Sequence, residues 1–96
     1  MTNLRIYAAA LQDFEEAVEW YGARSDATAE RFAAAVNAEI ASIHEHPERY
    51  PQWDEAHRFS LVHRFPYYVA YRSFPDRVEI VAIRHTSQDS AAWTNR

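Results

Sequence analysis

The residues of this chain that could do chemistry are arginine, histidine and tyrosine. All ten basic residues are arginine, so a catalytic lysine or a Schiff base is excluded. Every fixed cation is therefore a planar fork suited to phosphate or carboxylate. RNA cleavage without a metal requires a group to take the 2′-hydroxyl proton, an acid for the leaving oxygen, and a cation for the phosphorane. His85 carries an imidazole, a side-chain type suited to proton transfer, and stands at the end of an apolar run. Arg64 and Arg72 can hold phosphate, and Tyr67, Tyr68 and Tyr71 can stack on bases or donate protons. Each also has a plainer reading. A strand tyrosine more commonly packs, and an arginine at a strand end is more commonly solvated or salt-bridged. His44 and His46 fall at a helix end, where imidazolium meets exposed carbonyls, so no metal site is implied.

Charge is spread unevenly. Residues 1–50 hold nine acids and four arginines, whereas residues 51–96 hold five acids and six arginines. The stretch from Ala56 to Pro75 has no acid and carries His57, Arg58, His63, Arg64 and Arg72, so a bound polyanion would meet this surface. The overall charge is nevertheless −4, a poor match to a phosphate-rich target. The chain has no cysteine, so neither disulfides, cysteine-ligated zinc nor a thiol nucleophile is available. Met1–Leu11 shows no signal-peptide core, and no apolar run reaches the roughly 20 residues of a membrane span. A cytoplasmic protein without membrane attachment is expected. Ninety-six residues fit one domain, 1–96, with one modest core.

The elements that must position these groups follow from periodicity. Leu4–Tyr7 alternates like a short first strand. Leu11, Phe14, Val18 and Tyr21 form a helical stripe with Gln12, Asp13, Glu15, Glu16 and Glu19 mostly opposite, and Gly22 stands where this helix stops. Ser25 or Asp26 caps a second helix with its stripe at Phe32, Val36, Ile40 and Ile43, ended by Pro47. Glu48–Ala56 reads as a loop. Three strands follow, Arg58–Arg64, Tyr67–Phe74 and Arg77–His85, broken at Phe65-Pro66 and Pro75-Asp76. Short breaks predict an antiparallel meander, and helices before strands predict an α+β domain. In the first of these strands His63 and Arg64 point to opposite faces. In the second, Tyr68 and Arg72 share one face and Tyr67, Val69 and Tyr71 the other. Ser87 is a candidate cap for a short turn, and Trp93 for folding back on the body.

Five segments, in three regions of the chain, carry a family resemblance. Glu19-Trp20-Tyr21, Glu30-Arg31-Phe32 and Ile43-His44-Glu45-His46-Pro47-Glu48-Arg49-Tyr50-Pro51 resemble the helical hairpin of the RelE/ParE toxin superfamily. Arg64-Phe65-Pro66-Tyr67-Tyr68-Val69-Ala70-Tyr71-Arg72 resembles its central sheet hairpin. Val81-Ala82-Ile83-Arg84-His85, with Asp89 and Trp93 beyond, resembles its last strand and tail. Members are often labelled plasmid stabilisation proteins. The resemblance implies an N-terminal helical hairpin packed on a twisted antiparallel sheet, and a small antitoxin that wraps the toxin and silences it. One branch of the superfamily cleaves messenger RNA in the ribosome; the other, ParE-like, poisons DNA gyrase.

The RNA-cutting branch usually carries an arginine on the strand that begins here at Tyr67, at the position that Tyr68 occupies. That departure favours a ParE-like toxin of a type II toxin–antitoxin system, inhibiting growth by binding an essential target. A RelE-like endoribonuclease using His85, Arg64, Arg72 and Tyr68 is the second reading, and a non-toxic interaction module the third. Arg58, His63, Arg84, Trp53 and Trp93 are the expected contacts to the target or antitoxin, with Trp20 and Tyr50 as further aromatic anchors. Sheet edges and the groove between helices and sheet are natural docking places for a peptide. Neither a cofactor nor a metal is expected.

Overall fold

A computed structural model describes residues 2–96. The elements are strand β1 (Asn3–Ile6), helix α1 (Ala8–Gly22), helix α2 (Asp26–Glu45), and strands β2 (Arg58–Leu61), β3 (Tyr67–Phe74) and β4 (Arg77–His85), followed by a 3-10 turn at Ser90–Ala92. The four strands form one sheet in the order β1-β4-β3-β2. The helical hairpin packs on one face of this open sheet, giving the expected α+β architecture.

The helix ends follow their sequence signals. The Ser25 hydroxyl accepts the Thr28 N–H at 3.2 Å and caps α2. The other end stops at Glu45, before Pro47. The α2 stripe at Phe32, Val36, Ile40 and Ile43 is buried. Helix α1 differs from its expected pattern. Leu11 is 48% exposed, while Asp13, expected on the polar side, is buried together with Ala10 and Ala17. The small alanines let α1 lie close to β4, and Asp13 is drawn inward because it satisfies a backbone N–H there.

The sheet is mixed. β2–β3 and β3–β4 are antiparallel as expected, but β1 runs parallel to β4, with Leu4 opposite Val78 and Ile6 opposite Ile80. The helical hairpin between β1 and β4 makes this possible, because parallel neighbours need a long crossover. β2 is shorter than expected. It ends at Leu61, and the chain turns through Val62–Pro66, where the Val62 N–H donates to the Tyr67 carbonyl at 2.9 Å. His63 and Arg64 therefore stand in a turn rather than on opposite faces of a strand. Arg64 takes φ 70°, the left-handed conformation that reverses the chain.

Strand β4 contains one extra residue. Ala70 pairs with Ala82 but Tyr71 pairs with Ile80, so Val81 is bulged. The bulge reverses the face on which later side chains emerge. Val78, Ile80 and Ile83 thus all join the core under the helices, with Phe32, Val36, Ile43, Val69 and Tyr71. A second apolar cluster covers the opposite face. It is built from Tyr68, Ala70, Val81, Ala82 and Trp93, with Phe59 against it. Trp93 folds back as expected and is fully buried. The cap of the preceding turn is Asp89, whose carboxylate accepts the Ala91 N–H at 3.0 Å; Ser87 instead bonds His85.

Candidate functional site

The residues proposed for RNA cleavage do not share one site. Tyr68 lies on the face away from the helices, where its hydroxyl accepts the Trp93 indole N–H at 2.7 Å. Trp53 stacks on it at 5.1 Å between ring centroids. Burial raises the Tyr68 phenol above its usual range, against the opposing pull of the Trp93 hydrogen bond and the Arg84 charge. Arg72 is on the same face, beyond Ala70 and opposite Glu79 in β4. Its guanidinium is 5.0 Å from the Phe74 ring. His85 pairs with Tyr67, on the helix side of the sheet, and their rings meet edge-to-face at 5.2 Å. Arg64 is exposed in the β2–β3 turn, with its Nε 3.3 Å from the His63 ring.

The expected contact residues are likewise divided. His63 and Trp53 are at the surface. Arg58 donates to the Tyr50 carbonyl at 2.6 Å and pins the loop before β2. Trp93 lies inside the second cluster, packed edge-on by the buried His57 ring at 5.1 Å. His57 is held in turn by the Asp54 carboxylate at 2.9 Å. Of the further anchors, Trp20 is half exposed, with the Arg24 guanidinium 3.6 Å above its ring.

Two polar clusters escape a reading of the sequence. The first surrounds Asp13. Beyond Ile80, β4 has no β1 neighbour, and Asp13 accepts the Ile83 N–H at 3.1 Å on that open edge. Arg96 grips the same carboxylate at 2.7 and 3.1 Å and also donates to the Val81 carbonyl at 3.0 Å. Arg84 reaches Asp13 at 3.3 Å. The second cluster surrounds Glu79, which accepts from Arg77 Nε at 2.8 Å and the Tyr7 hydroxyl at 2.7 Å. The Arg77 hydrogen bond, then that of Tyr7, holds its carboxyl below the usual range. A signal for Asp13 existed: it lies between Ala10 and Ala17 at helical spacing from both, squarely within the buried stripe. No comparable signal marks Arg96, whose partners come from distant segments.

A cleft of about 490 Å³ opens between α1 and the far end of the β3–β4 hairpin. Trp20, Tyr21, Tyr67, Ile83, Arg84 and His85 contribute to its lining. Burial raises the phenols of Tyr21 and Tyr67 above their ordinary value. Among the described residues no cluster of histidines, cysteines or acids has the arrangement of a metal site, and no helix is long and apolar enough to cross a membrane.

Residues 4–90 match the model of a family described as the ParE toxin of type II toxin–antitoxin systems, parDE. The fold is similar to that of a solved structure described as the chromosomal ParDE toxin–antitoxin system from P. aeruginosa, with a TM-score of 0.79 at 15% identity. The match covers 88% of this chain and 96% of that one. No curated protein matches the chain in sequence. The family match spans the helical hairpin, all of the sheet but its first residue, and the start of the tail, and on it the chain belongs to the ParE toxin family of type II toxin–antitoxin systems.

Proposed function

We propose that this chain is a growth-inhibiting toxin that acts by binding an essential target, DNA gyrase, rather than by cutting RNA, and that a cognate antitoxin neutralises it in the cytoplasm. The supporting observation is the separation of the candidate catalytic groups by the sheet itself. Tyr68 and Arg72 emerge on the face away from the helices, whereas His85 emerges beside Tyr67 on the helix side. A general base, a phenol and a phosphate-holding cation must meet within hydrogen-bond reach of one phosphate. Tyr68 is moreover 3% exposed beneath Trp53 and Trp93, out of reach of a substrate. The acidic net charge supports the same reading. Surface residues His63, Arg64 and Trp53 are then the first candidates for contact with the target.

The experiment is induced expression without an antitoxin, read by two reporters. DNA-damage signalling in cells, with loss of supercoiling by purified gyrase, is expected. Growth arrest with cut messages and intact DNA would refute the proposal and favour the endoribonuclease. A His85→Ala chain should arrest growth as strongly as the parent, because no proton transfer is required of it. Harmless expression of the parent chain would leave only the interaction-module reading.

A further inference from the structure

The cleft between α1 and the β3–β4 hairpin contains an arginine whose hydrogen bonding is incomplete. Asp13 is already held by the bidentate Arg96 and by the Ile83 N–H. Arg84 reaches it only at 3.3 Å, and among the described residues that is its one carboxylate. Its Nε is buried with no partner. The fork is thus only partly engaged, and the 16% of the side chain that stays exposed at the wall of the cleft can meet an acceptor brought by a ligand. Next to it, the His85 Nδ1 accepts the Ser87 N–H at 3.0 Å. In the neutral ring this leaves the proton on Nε2, so His85 adds a second donor to the lining. The remaining walls are the rings of Trp20, Tyr21 and Tyr67.

We infer that this cleft is a binding site for a peptide segment of a protein partner that presents a large aromatic side chain beside a carboxylate. The ring lies among Trp20, Tyr21 and Tyr67, and the carboxylate meets Arg84 and His85. The volume suits a ligand of this size. Charge selects a single carboxylate over a nucleic-acid backbone. Glu16 and Asp13 line the same cleft and repel a polyanion, while a single carboxylate at Arg84 meets less of this repulsion because Asp13 is already neutralised by Arg96. The inference rests on the neutralisation reading and deepens it by naming the chemistry the partner offers, but it is testable without that partner.

The test is a backbone-amide NMR titration of the full chain with three probes: N-acetyl-tryptophan, its uncharged carboxamide, and adenosine monophosphate. N-acetyl-tryptophan should give saturable shifts at Ile83–Gln88 and at the Trp20 indole. The carboxamide should bind about tenfold more weakly, the size of one charge-assisted hydrogen bond. Arg84→Gln should bring both probes to the weaker affinity, and Trp20→Ala should weaken both alike. Absent or unsaturable shifts, equal binding of acid and amide, or preference for the nucleotide would overturn the inference. If Arg84→Gln does not fold, the acid–amide comparison on the parent chain decides alone. Failure of an antitoxin to rescue growth would count against the neutralisation reading and leave this titration untouched.

Discussion

Asp13 and Arg96, 83 residues apart in the chain, are joined by two contacts of 2.7 and 3.1 Å. The pair closes the open edge of β4 where β1 has ended. Asp13 caps the Ile83 N–H and Arg96 caps the Val81 carbonyl, so backbone groups that a neighbouring strand would satisfy are satisfied by side chains. The edge is thereby blunted against pairing with another chain.

Removing the shared carboxylate leaves Arg84 and Arg96 without compensation and Ile83 without an acceptor. Asp13→Ala should cost about 3–5 kcal/mol, the range for breaking a buried ion pair on one side. Asp13→Asn keeps an acceptor for the N–H and should cost less. Urea unfolding measures both, and a loss below about 1 kcal/mol for the alanine variant would show that the pairs are incidental.

Trp93 is the largest fully buried side chain and the lid over the second cluster. Trp93→Ala should lower stability by about 3–5 kcal/mol, the range for truncating a buried aromatic ring. It also strips Tyr68 of its indole donor. The near-ultraviolet circular dichroism of the Trp53–Tyr68–Trp93 stack should collapse in parallel. An unchanged spectrum would contradict the packing described for the tail.

Arg64 is the one non-glycine residue with positive φ among the described residues. A β-carbon in this conformation costs about 1–2 kcal/mol, part of which glycine returns through its freer unfolded state. Arg64→Gly should therefore stabilise the fold by about 0.5–1 kcal/mol, and Arg64→Val should destabilise it. Thermal melts of the two variants give the ordering; a valine chain as stable as the glycine chain would rule out the left-handed turn.

Alkaline pH should unfold the protein through its buried phenols. Burial pushes Tyr71 up to about 12, and Tyr7, Tyr21, Tyr67 and Tyr68 are raised by the same cause. A phenol with a folded pKa above its unfolded value binds its proton more tightly in the folded state. Each tenfold of tighter proton binding contributes about 1.4 kcal/mol. For Tyr71 that contribution is complete below about pH 10 and is lost as pH rises toward about 12. Stability measured across the alkaline range should fall above about pH 10, and Tyr71→Phe should shift the decline upward. A flat profile would mean that these hydroxyls stay accessible to solvent.

The amino-acid sequence by itself determined the local elements. The α2 stripe, the Ser25 cap, the Pro47 stop and the aromatic β3 run each depend on near neighbours, so periodicity and turn chemistry suffice to read them. The ordered motifs also carried the family resemblance. What only the tertiary structure decided is which side of the sheet each group serves. One bulged residue, Val81, reverses the face of everything after it, and so places His85 with Tyr67 and away from Tyr68. The parallel course of β1 and the early end of β2 were equally hidden, because each rests on hydrogen bonds between segments far apart in the chain. Asp13 looked like a surface acid for the same reason: its partners Ile83, Arg84 and Arg96 come to it only after the sheet, the helix and the tail have closed around it.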